Sequence, residues 1–301
     1  MSIPRIQTYP MPTQLPAGKV GWAVAPARAA LLVHDMQQYF VDFYDPRQPP
    51  VPELVANIGR LLGACRKAGI PIVYTAQPGD QDPRDRALLT DFWGPGLGAK
   101  VELTRILPQL APQAGDTVMS KWRYSAFKRS ELESWLKAQG RDQLLICGVY
   151  AHIGCLMTAA EAFMLDIQAF MIGDALADFS QEEHEQALAY AAARCAQIVG
   201  TGAVLQACAS VDADAPFDLR RLRRDVAAQI EIAAGTIEDD DDLLLLGLDS
   251  VRLMALVEDW RGRGLAADFA GLAEQPTIAA WALRLCAPPA GIASRSALHA
   301  G

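Results

Sequence analysis

The stretch from Gln143 to Met164, QLLICGVYAHIGCLMTAAEAFM, restricts the fold more than any other part of the chain. Leu144, Leu145, Ile146 and Val149 make a short apolar run of the kind buried on both faces of a parallel sheet. Beyond the turn Tyr150 to Gly154, the residues Cys155, Leu156, Thr158, Ala159, Ala162 and Phe163 recur at helical spacing. A strand that turns straight into a helix is the repeating unit of an open α/β sheet, whose ligands bind at the carboxyl ends of strands. The first N–H groups of such a helix lack partners within it, which suits an anion. Chemistry is therefore expected around Gly154 and Cys155.

The same alternation runs through the first two thirds of the chain. A Pro-rich arm of about 28 residues, expected to lie over the domain, precedes the buried strand Ala29 to Val33, which ends at His34-Asp35. An amphipathic helix (Glu53 to Ala68) leads to a strand (Ile70 to Ala76) ending at Gln77. A loop-rich insertion containing DFWGPGLG follows, then the strand Thr117 to Met119, ending at Ser120-Lys121. Helices over Ser130–Gln139, Cys155–Leu165 and Gln181–Cys195 alternate with strands over Leu144–Val149, Ala169–Ile172 and Gln197–Gly200. This pattern predicts an α/β doubly wound parallel sheet with right-handed crossovers. Asp35, Gln77, Lys121 and the turn before Cys155 then share one sheet edge.

From about Ala207 the pattern changes. CASVDADAP reads as a linker over 208–215, separating a domain over 1–207 from a C-terminal all-α four-helix module over 216–287. The predicted helices are Leu219–Ala234, Ser250–Arg263, Phe269–Ala273 and Ile278–Leu285, with a disordered tail over 288–301. The net charge of −8 argues against nucleic acid and anionic membranes as partners. The N-terminal segment has no apolar core of the signal-peptide kind, and no apolar run is long enough to insert in a membrane. Six scattered cysteines without a CxxC pair read as free thiols of a cytoplasmic protein.

Three side chains at the shared edge could act. Asp35, beneath Phe40, Phe43 and Tyr44, could stay protonated as a general acid, or simply cap a helix. Lys121 could orient Asp35 or pair with a substrate carboxylate. Cys155, at a helix start where a thiol pKa falls, could be a nucleophile. No metal is expected: the four histidines are 34, 152, 184 and 299, none between Gln77 and Lys121.

The order Asp35, Lys121, GVYAHIGC resembles the isochorismatase superfamily of cysteine hydrolases. In its amidase branch the turn reads G-V-x-T-[DE]-x-C, which places the nucleophile at Gly154 and leaves Cys155 one position late. One residue rotates a helical side chain by about 100°, so Cys155 points into packing. The turn is similar to that of the isochorismate-cleaving branch. That resemblance implies a Rossmann-type three-layer fold and a non-proline cis peptide at Val149–Tyr150. It also implies general-acid hydrolysis of a vinyl ether: Asp35 protonates the enolpyruvyl methylene carbon, water adds, and the hemiketal collapses to pyruvate and 2,3-dihydro-2,3-dihydroxybenzoate. Asp35, Lys121 and Gly154 are implied as catalytic. Gln77, Arg86, Trp93, Tyr150, Phe40 and Cys155 are implied as substrate-binding. No metal is implied for the lyase.

In the C-terminal module, GLDS places Ser250 at the start of an apolar helix. An Asp or Ser there is commonly just an N-cap. Phe217 to Leu285 as a whole resembles an acyl/aryl carrier protein of nonribosomal peptide synthesis, through LGLDSVRLMAL and EQPTIAAW. Ser250 would then carry covalent 4′-phosphopantetheine. The module has 13 acidic residues and 8 arginines between Ala215 and Cys286, a charge that would select basic faces on partner enzymes.

Together the resemblances imply a bifunctional isochorismate lyase–aryl carrier protein of catechol siderophore synthesis. A phosphopantetheinyl transferase would modify it, an aryl-adenylating ligase would load it and a condensation domain would unload it; the lyase domain is implied to form a homodimer. The cargo stays open between 2,3-dihydroxybenzoate and salicylate. Two rival expectations are a cysteine amidase using Cys155 and a carrier scaffold with an inactive lyase domain.

Overall fold

The computed structural model describes residues 3–214, 217–232 and 236–286. Its contacts divide the chain into two units, Met1–Asp212 and Ala213–Gly301. The first is built on six parallel strands: β1 (Ala29–His34), β2 (Ile72–Ala76), β3 (Thr117–Ser120), β4 (Gln143–Val149), β5 (Gln168–Ala177) and β6 (Ala196–Val199), in the order β3-β2-β1-β4-β5-β6. Every residue of β1 and β4 is buried, as their continuous apolar runs require of strands covered on both faces. One face packs Leu31, Val33, Leu145 and Phe170 against the helix Val51–Lys67 through Leu54, Ile58 and Leu61. The other packs Leu32, Ile146 and Met171 with Ala159, Leu188 and Ala191, from Leu156–Met164 and Gln181–Arg194.

The strand order runs outward in both directions from the β1–β4 pair, which makes the carboxyl ends of those two strands the topological switch point. His34 pairs with Gly148 there, so close that a Cβ on Gly148 would lie 2.1 Å from the His34 carbonyl oxygen. Gly148 also has φ +113, which glycine alone adopts readily. The Val149–Tyr150 peptide is cis.

Three expectations need correction. The stretch 208–215 is not an open linker up to its end: Thr201–Asp214 is one helix. Its small residues include alanines, the strongest helix formers, and Val204 and Cys208 anchor it in the core. The helix expected from Cys155 begins as a wider π turn, Ala151–Cys155, before Leu156–Met164. The insertion after β2 contains the short helices Pro83–Arg86, Leu89–Trp93 and Val101–Thr104. The Pro-rich arm does pack on the unit, burying Ile3, Ile6, Tyr9 and Met11.

The second unit holds four helices among its described residues: Leu219–Ile230, Ser250–Gly262, Phe269–Glu274 and Ile278–Leu285. Each begins with a side-chain N-cap, from Asp218, Asp249, Asp268 and Thr277 in turn. Such caps typically stabilise a helix by about 1 kcal/mol. Trp260 and Trp281 fill its core with Leu222, Val226, Leu253 and Ile278. The first helix stops where Glu231 turns left-handed (φ 59); its expected end at Ala234 lies outside the described residues, as does the tail over 288–301. Among the described residues no helix is long and apolar enough to cross a membrane.

Candidate active site

Asp35 is the first residue past β1 and takes a left-handed conformation (φ 50), one that aspartate tolerates better than most side chains. Thr75, on the neighbouring strand, holds it twice. The Thr75 Oγ1 accepts from the Asp35 N–H at 3.1 Å and donates to Oδ1 at 2.7 Å. The other oxygen, Oδ2, accepts from Lys121 Nζ at 2.8 Å and from Gln77 Nε2 at 3.3 Å. Members of this cluster thus stand at the carboxyl ends of β1, β2 and β3. Gln37 fixes Gln77 in turn, donating to its carbonyl at 2.9 Å and accepting from its N–H at 2.7 Å.

Burial alone would raise the Asp35 pKa. The Lys121 ammonium, His34 and the hydrogen bonds from Lys121 and Thr75 outweigh burial and hold the carboxyl below its ordinary value. This direction is the opposite of the one expected for an acid that its surroundings keep protonated. Lys121 orients Asp35 directly, with the two side chains only 3% and 6% exposed.

A cavity opens above this cluster. Arg86, Trp93, Tyr150, Phe40, Gln77 and Gly154 all line it together with Asp35 and Lys121. Arg86 is 4% exposed, and its Nε donates to the Gly94 carbonyl at 2.6 Å. Its Nη1 makes no hydrogen bond among the described residues, which leaves a buried cationic donor at the wall. Gly96 makes room for that guanidinium, since a Cβ there would meet Nη1 at 2.4 Å. Tyr150 donates its hydroxyl to the Phe40 carbonyl at 2.7 Å, and Trp93 Nε1 donates to the Tyr124 hydroxyl at 2.8 Å. Ile3 of the N-terminal arm also faces the cavity.

Cys155 is not part of this wall, and its assignment to substrate binding is corrected. It is fully buried among Leu156, Ala159, Ala187 and their neighbours on the opposite face of the sheet from Phe40 and Tyr150. Burial pushes its thiol well above the ordinary value, the reverse of a nucleophile's environment. Gly154 does line the cavity, and the structure adds a reason for its identity. A Cβ there would fall 2.1 Å from His34 Cε1.

Sequence reasoning missed His34, Thr75 and Gln37 at the site. A weak signal existed: they are polar residues inside or beside strands that are otherwise apolar, a placement that structural side chains seldom take without a partner. His152, beside the cavity, is held by Asp178, which accepts from its backbone N–H at 2.6 Å and contacts Nδ1 at 2.5 Å; Glu183 lies 3.9 Å from Nε2. Burial opposes charging of this ring, but the Asp178 hydrogen bond and charge raise its pKa overall. The 2.5 Å contact is a direct hydrogen bond, and it leaves no room for an ion between those two atoms.

In the second unit Ser250 is the exposed first residue of its helix. Capping is done by Asp249, whose Oδ1 accepts from the Arg252 N–H at 2.8 Å, so the serine hydroxyl is not needed for it. Val251 and Met254, on the same helix, are exposed, while Leu253, Leu256, Val257 and Trp260 are buried.

Residues 29–203 match the isochorismatase domain family, and residues 220–285 match the phosphopantetheine attachment site family. A Bacillus subtilis (strain 168) protein named isochorismatase is 51% identical over 294 residues, which cover 93% of this chain and 94% of that protein. Enterobactin synthase component B of Escherichia coli (strain K12) is 48% identical over 283 residues, covering 93% and 97%. The fold is also that of a cysteine hydrolase from Pseudomonas syringae, with a TM-score of 0.58 at 22% identity over 65% of this chain and 98% of that one.

Proposed function

The chain belongs to the isochorismatase family and joins that domain to a phosphopantetheine carrier, and from this premise we propose which residues perform each task. The protein hydrolyses isochorismate and serves as a phosphopantetheine carrier in siderophore biosynthesis. Asp35 is the general acid, Lys121 and Arg86 bind the substrate's two carboxylates, and Gln77, Trp93, Tyr150 and Phe40 shape the cavity around its ring. The observation that carries this reading is the buried Asp35–Lys121 pair beneath an Arg86 donor that has no partner among the described residues.

The chemistry follows from the electrostatics. The surroundings of Asp35 favour its ionised form. A dianionic substrate draws the hydrogen-bonding capacity of Lys121 and Arg86 to itself and adds negative charge beside Asp35. Both effects raise the carboxyl pKa, so the acid takes up its proton as the complex forms. Asp35 then transfers that proton to the methylene carbon of the enolpyruvyl group. The ether oxygen's lone pair stabilises the oxocarbenium ion that results. Water adds to that ion and loses a proton, and the hemiketal breaks its C–O bond to release pyruvate and 2,3-dihydro-2,3-dihydroxybenzoate. No metal ion is required, because proton transfer and two side-chain cations meet the charge demands of the reaction.

Ser250 carries the phosphopantetheine arm, and the exposed Val251 and Met254 lie beside it on a surface partner enzymes would meet. The partners we assign are a phosphopantetheinyl transferase, an aryl-adenylating ligase and a condensation domain, with 2,3-dihydroxybenzoate as cargo. We place the protein in the cytoplasm as a homodimer. Pyruvate release from isochorismate by the full chain tests the lyase reading, with Cys155→Ala as comparison. Full activity in that variant supports the acid route, and its inactivation with the fold intact would restore the thiol route.

A further inference from the structure

Beyond its influence on the Asp35 pKa, the acid route gives His34 no role, although the residue lines the cavity. The residue ends β1, is 1% exposed, and is fixed on both sides by pairing with β2 and β4. Its Nδ1 lies 2.7 Å from the Val149 carbonyl, which can only accept, so Nδ1 carries the hydrogen. Nε2 is then a bare acceptor in the neutral ring, and it makes no hydrogen bond among the described residues. Burial, with Lys121 nearby, pushes the ring's pKa down to about 4 against the favourable influence of Asp35 and the backbone of Val149 and Tyr124. An immobile, neutral imidazole therefore fills this corner of the site.

What it fills is the place of a side chain at position 154. A Cβ on Gly154 would sit 2.1 Å from Cε1 and 2.7 Å from Nε2, closer than non-bonded carbon and nitrogen approach. The ring cannot retreat, because its Nδ1 is tied to Val149 and its backbone lies in the centre of the sheet. Nor does the backbone itself demand glycine, since Gly154 is not among the residues with positive φ. The ring alone excludes a side chain. Position 154 is also where the turn pattern of the amidase branch carries its nucleophilic sulfur.

We infer that His34 is the specificity-determining residue of this site, its ring occupying the slot from which a thiol at position 154 would attack and so confining the site to acid chemistry. This deepens the acid-route reading given above and rests on it; position 154 as the alternative attack point follows from the resemblance to the amidase-branch turn. His34 is thus a positioning residue that acts by exclusion.

The test uses the full chain and needs no isochorismate, so its outcome is independent of whether Asp35 proves to be the acid. Thermal melting of Gly154→Ala, His34→Ala and the double variant reads the steric clash. Gly154→Ala should lose several degrees, and His34→Ala/Gly154→Ala should melt above it. A Gly154→Ala protein that melts with wild type, or a double variant no more stable than Gly154→Ala, overturns the inference. Reactivity reads the slot itself. Gly154→Cys and His34→Ala/Gly154→Cys are treated with iodoacetamide: sulfur displaces iodide from the methylene carbon, the thiol proton passes to buffer, and peptide mapping locates the adduct. Alkylation at position 154 should be at least tenfold faster in the double variant, or Gly154→Cys should fail to fold while the double variant folds. Equal alkylation rates in two folded proteins would show that the sulfur fits beside the ring, and the inference fails.

Discussion

Replacing Lys121 with methionine removes the charge next to Asp35 while keeping most of the side chain's length. Nζ and Oδ2 are 2.8 Å apart and both side chains are buried, so at an effective dielectric of about 20 their attraction is roughly 6 kcal/mol. Among the influences that hold the Asp35 pKa down, this charge is the largest. Without it burial meets less opposition, and the Asp35 pKa rises. The alkaline limb of kcat/KM reports the acid of the free enzyme. In the wild type, where the folded-state pKa is depressed, kcat/KM should therefore fall as pH rises through the neutral range. In Lys121→Met that limb should move to higher pH. The variant also loses one charge-assisted hydrogen bond to a substrate carboxylate, about 1.5–3 kcal/mol, so kcat/KM at low pH should drop roughly ten- to a hundredfold. Its stability should fall by less than the 3–5 kcal/mol typical of a buried pair left with one bare charge, because the orphaned carboxyl can protonate. Quenched time points from pH 5 to 9, assayed for pyruvate, give the profile. A limb that stays where the wild type has it would refute the electrostatic assignment.

Further expectations concern other parts of the molecule. His34 is held at a pKa of about 4, below its ordinary 6.5, so between those values the unfolded chain binds the extra proton. Its contribution, roughly 3 kcal/mol, is present at neutral pH and lost as pH falls from 6.5 towards 4; urea titrations of wild type and His34→Asn across that window should show the variant losing less. Removing residues 1–8 takes Ile3 from the cavity and Ile6 from the core; the KM for isochorismate should rise several-fold, and a truncated protein with unchanged kinetics would dismiss the arm as part of the wall. Treatment with coenzyme A and a phosphopantetheinyl transferase should add one pantetheine-sized mass to the wild type and none to Ser250→Ala, as read by intact-protein mass spectrometry.

The sheet was legible because β1 and β4 are buried on both faces, and such strands have to be written as continuous apolar runs. The carboxyl ends of β1, β2, β3 and β4 then brought Asp35, Gln77, Lys121 and Gly154 together on topology alone. The stretch 208–214 reads as linker because alanine and aspartate suit a linker as well as a helix; it continues a helix from Thr201 that Val204 and Cys208 anchor in the core. The direction of the Asp35 pKa shift was not legible for a related reason. Sequence placed aromatic residues around it, but the sign of its shift depends on a 2.8 Å contact to a residue 86 positions away. Likewise, the need for glycine at 154 lies in a ring 120 positions earlier, which no local pattern reveals.

The account stands on proton transfer from Asp35 to carbon, and Asp35→Asn measures that step most directly. The amide keeps the side chain's shape and its hydrogen bond from Thr75 but has no acidic proton to give. General-acid catalysis typically contributes 10²–10⁴-fold, so saturating isochorismate should yield pyruvate at a rate roughly that much lower, from a protein whose melting shows it folded. Turnover within a few-fold of wild type would contradict the mechanism.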